Sequence, residues 1–179
     1  MAIKKTIQIG DLKLHQKTPK VLISDVSRSS FATKVANLRD TMRNASLIGM
    51  AAPQIGVMER FFITEIRKTK YRTSGTDPLR VFVNPEITWS SKKEVKLYEG
   101  CGSINMGNLF GEVRRPEKVE VTYHDEKGEK RTDKFDGILA RVIQHEIDHL
   151  DGILFTEKLT DPKTLMDREH YLEMMRHGN

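Results

Sequence analysis

The stretch Gln144-His145-Glu146-Ile147-Asp148-His149 narrows what this chain can be more than any other. It is an H-E-x-x-H pattern inside Gly137 to Leu150, a run whose apolar residues Ile138, Val142, Ile143 and Leu150 predict an inward helical face. Residues four apart on a helix share one face, with Cβ atoms about 5–6 Å apart. His145 and His149 can therefore converge on one ion at about 2.0–2.1 Å each. Glu146 falls on the flank of that face, where a carboxylate can reach a water on the ion without being a ligand. The same pattern also arises by chance in helices whose histidines are surface or core residues, so spacing alone leaves both readings open.

A catalytic ion commonly has three protein ligands and one exchangeable position. The lone cysteine, Cys101, is the natural third candidate. It lies in Glu99-Gly100-Cys101-Gly102-Ser103, where two glycines let the backbone approach a site closely. A divalent ion would take it as the thiolate. A buried, inert thiol is the commoner fate of a free cysteine, and sequence distance alone does not join Cys101 to the histidines. A single cysteine does exclude an intrachain disulfide and suits a reducing compartment.

A length of 179 residues fits one domain, spanning 1–179, and 37% hydrophobic with 31% charged residues describes a soluble globular chain. No apolar run is long enough to cross a bilayer. No apolar signal core follows the basic Met1 to Lys5, so a cytoplasmic protein without membrane attachment is expected. The net charge of +5 comes from scattered residues. With no basic run interleaved with aromatics, it reads as a solvated surface rather than a specific nucleic-acid motif, and transient ribosome association stays open.

The first twenty residues carry few large apolar groups and are expected to wrap the surface. Phe31, Val35, Leu38 and Met42 predict an amphipathic helix from about Asp25 to Asn44, with Ser24 or Asp25 as N-cap. Gly49 to Gly56 reads as an extended loop. Arg60–Ile66, Val81–Ile87 and Val95–Tyr98 read as strands, and Lys68–Asp77 as a surface loop. Lys118–Tyr123 and Arg131–Phe135 form a hairpin around Asp125–Gly128. A further helix is expected at about 163–176, carrying Leu165, Tyr171, Leu172 and Met175. The order predicts an α+β domain, mixed or antiparallel strands packed around a central helix that carries the H-E-x-x-H motif.

Three blocks, in order, resemble the peptide deformylase family. Gly49-Met50-Ala51-Ala52-Pro53-Gln54 is similar to its first motif, Glu99 to Ser103 to its second, and Gln144 to His149 to its third. Asn84 to Ile87 and Leu139-Ala140-Arg141 add to the likeness, which runs from about residue 30 to 157. The resemblance implies removal of the formyl group from N-formylmethionyl nascent peptides. It implies that Cys101, His145 and His149 hold one divalent metal per chain, ferrous iron first, with nickel or zinc possible. It makes Glu146 the general base and then general acid. It gives the Gln54 side chain and the backbone N–H of Gly102 to the oxyanion. The methionine pocket would be walled by Ile48, Gly49, Leu97, Ile138 and Val142.

The chain departs from the family pattern at three places. Leu47 stands where a glycine is usual, Gly102 where a leucine is usual, and Asn105 where a proline is common. The altered Gly102 region motivates a second reading, a divergent paralogue acting on other N-acylated or formylated substrates. A third is a non-catalytic, ribosome-associated metal protein, motivated by Arg168, His170, Arg176 and His177. A conventional metalloprotease fits less well, because a cysteine third ligand has no place in that pattern.

Overall fold

The structure is a computed structural model that describes residues 2–68 and 75–177. Its frame is an antiparallel five-stranded sheet of order β1 (Gly49–Ala51), β2 (Phe61–Ile66), β3 (Asp77–Ser90), β6 (Lys118–His124), β7 (Lys130–Asp136). Alternation along the strands sends neighbours to opposite faces. Phe61 and Ile63 of β2 join Val81 and Val83 of β3 on one face, where they pack against Phe31, Leu38 and Met42 of helix α2 (Ser29–Asn44). Phe62 and Phe82 point the other way and stack at 4.6 Å, with Tyr123 and Phe135 extending the aromatic row. This second face packs on Ala140, Ile143, Ile147 and Leu150 of helix α3 (Gly137–Leu150). A second antiparallel sheet, β4 (Glu94–Gly100), β5 (Leu109–Pro116) and β8 (Met166–Asp167), meets α3 through buried Glu99 and Arg115.

The helix bearing the H-E-x-x-H residues has the expected bounds. It ends because Gly152 takes a left-handed conformation (φ 77°), and Ile153 N donates to Asp148 O at 2.9 Å. A Cβ on Gly152 would also lie 2.6 Å from the backbone carbon of His15, so this glycine admits the N-terminal segment to the helix end. That segment does more than wrap the surface: Leu14 and Thr18 are buried, and Thr18 N donates to Leu150 O at 2.9 Å.

Several expectations need correction. The first helix starts at Ser29, after a separate turn α1 (Ile23–Val26), and its N-cap is Arg28 rather than Ser24 or Asp25. Arg28 N bonds to Asp25 O at 3.0 Å, a tight turn that interrupts the helical ladder. Gly49–Gly56 is extended only as β1. Ala52–Ile55 then form a 3₁₀ turn closed by left-handed Gly56 (φ 81°). β5 is an added strand, concealed in the sequence because its buried members alternate as Gly111, Val113 and Arg115. The last helix, α4, spans Arg168–His177 rather than 163–176, because β5 captures Met166 and Asp167 as β8. Tyr171 holds α4 against the domain by stacking on Phe110 at 4.2 Å. Ile138 does not face inward: it is 40% exposed, in the first turn of α3. Residues 69–74 of the expected Lys68–Asp77 loop lie outside the described residues.

Candidate metal centre and active site

His145 and His149 occupy successive turns of α3, and Cys101 follows directly on β4. One ligand atom from each of the three lies within 4.8 Å of the others. Cys101 Sγ sits 3.1 Å from His149 Nε2 and is buried. Burial pushes the thiol up, but the flanking His149 and His145 imidazoles outweigh it and bring Cys101 down to about 5. A thiolate and two imidazoles converging from two elements form a donor set that suits a divalent transition metal.

His145 is oriented from behind. Its Nδ1 lies 2.9 Å from Glu99 Oε2, which leaves Nε2 to face the cluster. Glu99 is in turn held by Arg115 (Nε to Oε1, 2.6 Å; Nη2 to Oε2, 2.9 Å) and by Arg141 Nη1 at 2.7 Å. Arg115 also reaches Asp148 Oδ2 at 2.6 Å, and Lys158 Nζ caps Asp148 Oδ1 at 2.7 Å. Burial raises the Glu99 carboxyl, but hydrogen bonds from Arg115 and His145 overcome it and hold Glu99 far below the usual carboxylate range. Sequence reasoning assigned no role to Arg115, Asp148 or Arg141. Asp148 sits inside the motif and Arg141 one turn before His145, whereas nothing in the sequence around Arg115 marks it.

Glu146 is buried on the flank of the cluster, and its Oε2 has no hydrogen-bond partner among the described residues. Burial raises its carboxyl to about 7, against the pull of the two imidazoles. A buried, unpartnered carboxylate oxygen beside three convergent donors fits a site built around an ion and its water.

Gly49 explains how the carboxylate comes so near β1. A Cβ there would stand 2.5 Å from both Glu146 Oε1 and Val142 Cγ1. Gly49→Ala is therefore expected to push Glu146 and Val142 away from β1 and to destabilise the fold by about 1–3 kcal/mol. Thermal melts check this; an unchanged Tm would contradict the contact.

Gln54 lies in the 3₁₀ turn after β1. Its Oε1 accepts from Ala51 N at 2.8 Å, which fixes the amide and aims Nε2 at Cys101 Sγ (3.5 Å) and Ser103 Oγ (3.2 Å). The N-terminal segment clamps this region: Ile7 N donates to Gln54 O and Ile9 N to Ser103 O, each at 2.8 Å. Gln8 Nε2 holds the Gly102 carbonyl at 2.9 Å. Of the expected pocket residues, Gly49 and Val142 meet at Glu146, Ile48 is half-buried beside them, and Leu97 and Ile138 are 45% and 40% exposed.

With the geometry in place, comparison with known proteins adds the following. A family model described as polypeptide deformylase matches residues 3–165. The chain is 36% identical over 180 residues to a protein of Ralstonia nicotianae named peptide deformylase 1, covering 98% of this chain and 100% of the relative. It is 39% identical over 165 residues to the peptide deformylase of Thermomicrobium roseum, covering 92% and 90% of the two chains. Among solved structures, the Met-Ala-Ser-bound class I type b peptide deformylase of Acinetobacter baumannii superposes with a TM-score of 0.83 at 31% identity. That match covers 88% of this chain and 99% of the other.

Proposed function

The chain belongs to the peptide deformylase family, and from that premise we propose that Cys101, His145 and His149 hold its metal while Glu146, Gln54 and Gly102 act on the formyl group. It is a metal-dependent hydrolase that removes the N-formyl group from newly made peptides. One observation carries the site assignment: three ligand atoms lie within 4.8 Å of one another, beside a buried carboxylate oxygen that no described group satisfies.

When bound, the metal supplies the Lewis acidity that makes water a nucleophile near neutral pH. We place ferrous iron there, with nickel and zinc compatible with the same donors. Glu146 takes the proton of the attacking water and passes it to the amine that leaves. A carboxyl raised to about 7 can serve in both directions at neutral pH. Gln54 Nε2 and the Gly102 N–H meet the formyl oxygen as charge develops on it. Gln54 suits this because its amide is a neutral donor at any working pH. Ile48, Gly49, Leu97, Ile138 and Val142 line the groove that takes the methionine side chain. All of this machinery falls within a single catalytic domain, and Arg168, His170, Arg176 and His177 of α4, interspersed with Glu169 and Glu173, are where transient contact with the ribosome would occur.

Gln54→Leu is expected to lower kcat by about 10²–10³ with KM changed far less, as removal of one oxyanion donor does. The reaction itself is tested by comparing formyl-Met-Ala-Ser with acetyl-Met-Ala-Ser on the ferrous-loaded protein. Strong preference for the formyl peptide is expected. Equal or faster acetyl hydrolysis would favour the paralogue reading.

A further inference from the structure

The loop joining α2 to β1 and the loop after β4 meet beside the metal centre, and they meet at Leu47 and Gly102. A Cβ built on Gly102 would lie 2.7 Å from Leu47 Cδ1 and 3.9 Å from Thr6 Cγ2. The Leu47 side chain thus stands where a side chain at position 102 would begin. Neither backbone is free to move away. α2 ends in a left-handed Ser46 (φ 56°), with Leu47 N bonded to Met42 O at 3.0 Å and Ser46 N to Arg43 O at 3.1 Å. This is a Schellman cap, and it fixes where Leu47 leaves the helix. Arg67 Nη2 holds the Leu47 carbonyl at 3.1 Å. Across the gap, Gln8 Nε2 holds the Gly102 carbonyl at 2.9 Å and Ile9 N holds Ser103 O at 2.8 Å.

Leu47 is half-buried: it packs against the α2 core, and its Cδ1 stands over Gly102. Gly102 is buried and adjoins Cys101. An apolar side chain seated over Gly102 is therefore within one residue's reach of whatever group meets the Gly102 N–H.

We propose that Leu47 is a specificity-determining residue: reaching over from the end of α2, it fills the space beside the metal centre that position 102 leaves vacant, and forms the wall against which the formylmethionyl residue packs. This rests on the deformylase reading of the same site. A large residue at 47 thus matches the missing side chain at 102, and the apolar lining comes from the end of α2.

The test uses the full-length, ferrous-loaded protein and three variants: Leu47→Ala, Gly102→Leu, and the exchange Leu47→Gly with Gly102→Leu. Each is assayed on formyl-Met-Ala-Ser and formyl-Gly-Ala-Ser. Leu47→Ala is expected to raise KM for the methionyl peptide by about tenfold, as loss of apolar contact in a pocket does, with kcat within about twofold. KM for the glycyl peptide should barely move, so the preference for methionine narrows, which a purely structural role would not produce. Gly102→Leu alone should lose more activity and melt lower than the exchange variant, which is expected to recover much of the methionyl KM. Unchanged KM in Leu47→Ala, or equal loss on both peptides, would overturn the inference while leaving the deformylase reading intact. An unaltered protein that releases no formate would overturn both.

Discussion

Glu146→Gln is expected to lower kcat by about 10²–10⁴ while metal content stays at the level of the unaltered protein. The substitution keeps the shape of the side chain and removes only its ability to carry a proton at neutral pH. Glu146 is not among the three convergent ligands, so the ion should remain. Stability gives an independent reading. Oε2 of Glu146 has no partner among the described residues, and burial holds its carboxyl up to about 7. Burying an unpartnered carboxylate oxygen costs stability, which a neutral amide of the same shape lessens, so the variant should melt at or above the temperature of the unaltered protein. Activity lost together with a retained or raised Tm identifies a group kept for chemistry. Loss of metal or a marked fall in Tm would instead make Glu146 structural.

Arg115→Met is expected to be the most destabilising of the single substitutions considered. Arg115 is buried between Glu99 and Asp148 and makes a two-pronged contact with Glu99. Removing one partner of a buried pair strands the other charge, at about 3–5 kcal/mol. For a domain of this size that is a fall in Tm of roughly 6–20 °C. Among the described residues Asp148 keeps Lys158, and Glu99 keeps Arg141 and His145. Since Glu99 sets the ring orientation of His145, metal affinity should fall as well, by about 10–100-fold. The pH dependence follows from the sign of the Glu99 shift. Its folded value lies below the ordinary 4.5, so its ionised form stabilises the fold above that value, and the contribution is lost only as pH falls below it. The gap in Tm between the variant and the unaltered protein should therefore be widest at pH 7 and narrow as pH falls below that value. Thermal melts at pH 7 and pH 4, with metal titration at pH 7, check all three consequences. A Tm within about 2 °C of the unaltered protein at pH 7 would mean that the network carries little net stability.

What the sequence reveals of this molecule follows the range of the interactions involved. His145, Glu146 and His149 are readable because a helix fixes their spacing locally, and α3 has the bounds its periodicity predicts. The hairpin of β6 and β7 is readable for the same reason, with Asp125–Gly128 turning between paired strands. Cys101 and Gln54 are not readable from spacing. They reach the helix through the pairing of β4 with β5 and the 3₁₀ turn after β1, and only the ordered family motifs bring them in. β5 is hidden because its inward positions include Gly111 and Arg115, residue types that signal neither a strand nor a core. Arg115 is buried only because Glu99 and Asp148, from β4 and α3, meet on it. Leu47 and Gly102 each stand out in sequence as departures, yet their fit to each other exists only once the ends of α2 and β4 come together.

The central claim is that Cys101, His145 and His149 hold a metal on which formyl removal depends. It is tested most directly by metal content and formate release measured on the same anaerobically purified sample, with Cys101→Ala prepared in parallel. The expected result is one divalent ion per chain and formate released from formyl-Met-Ala-Ser by the unaltered protein, with both lost in Cys101→Ala. A Cys101→Ala protein that keeps its ion and its turnover, or an ion-loaded unaltered protein that releases no formate, would contradict it.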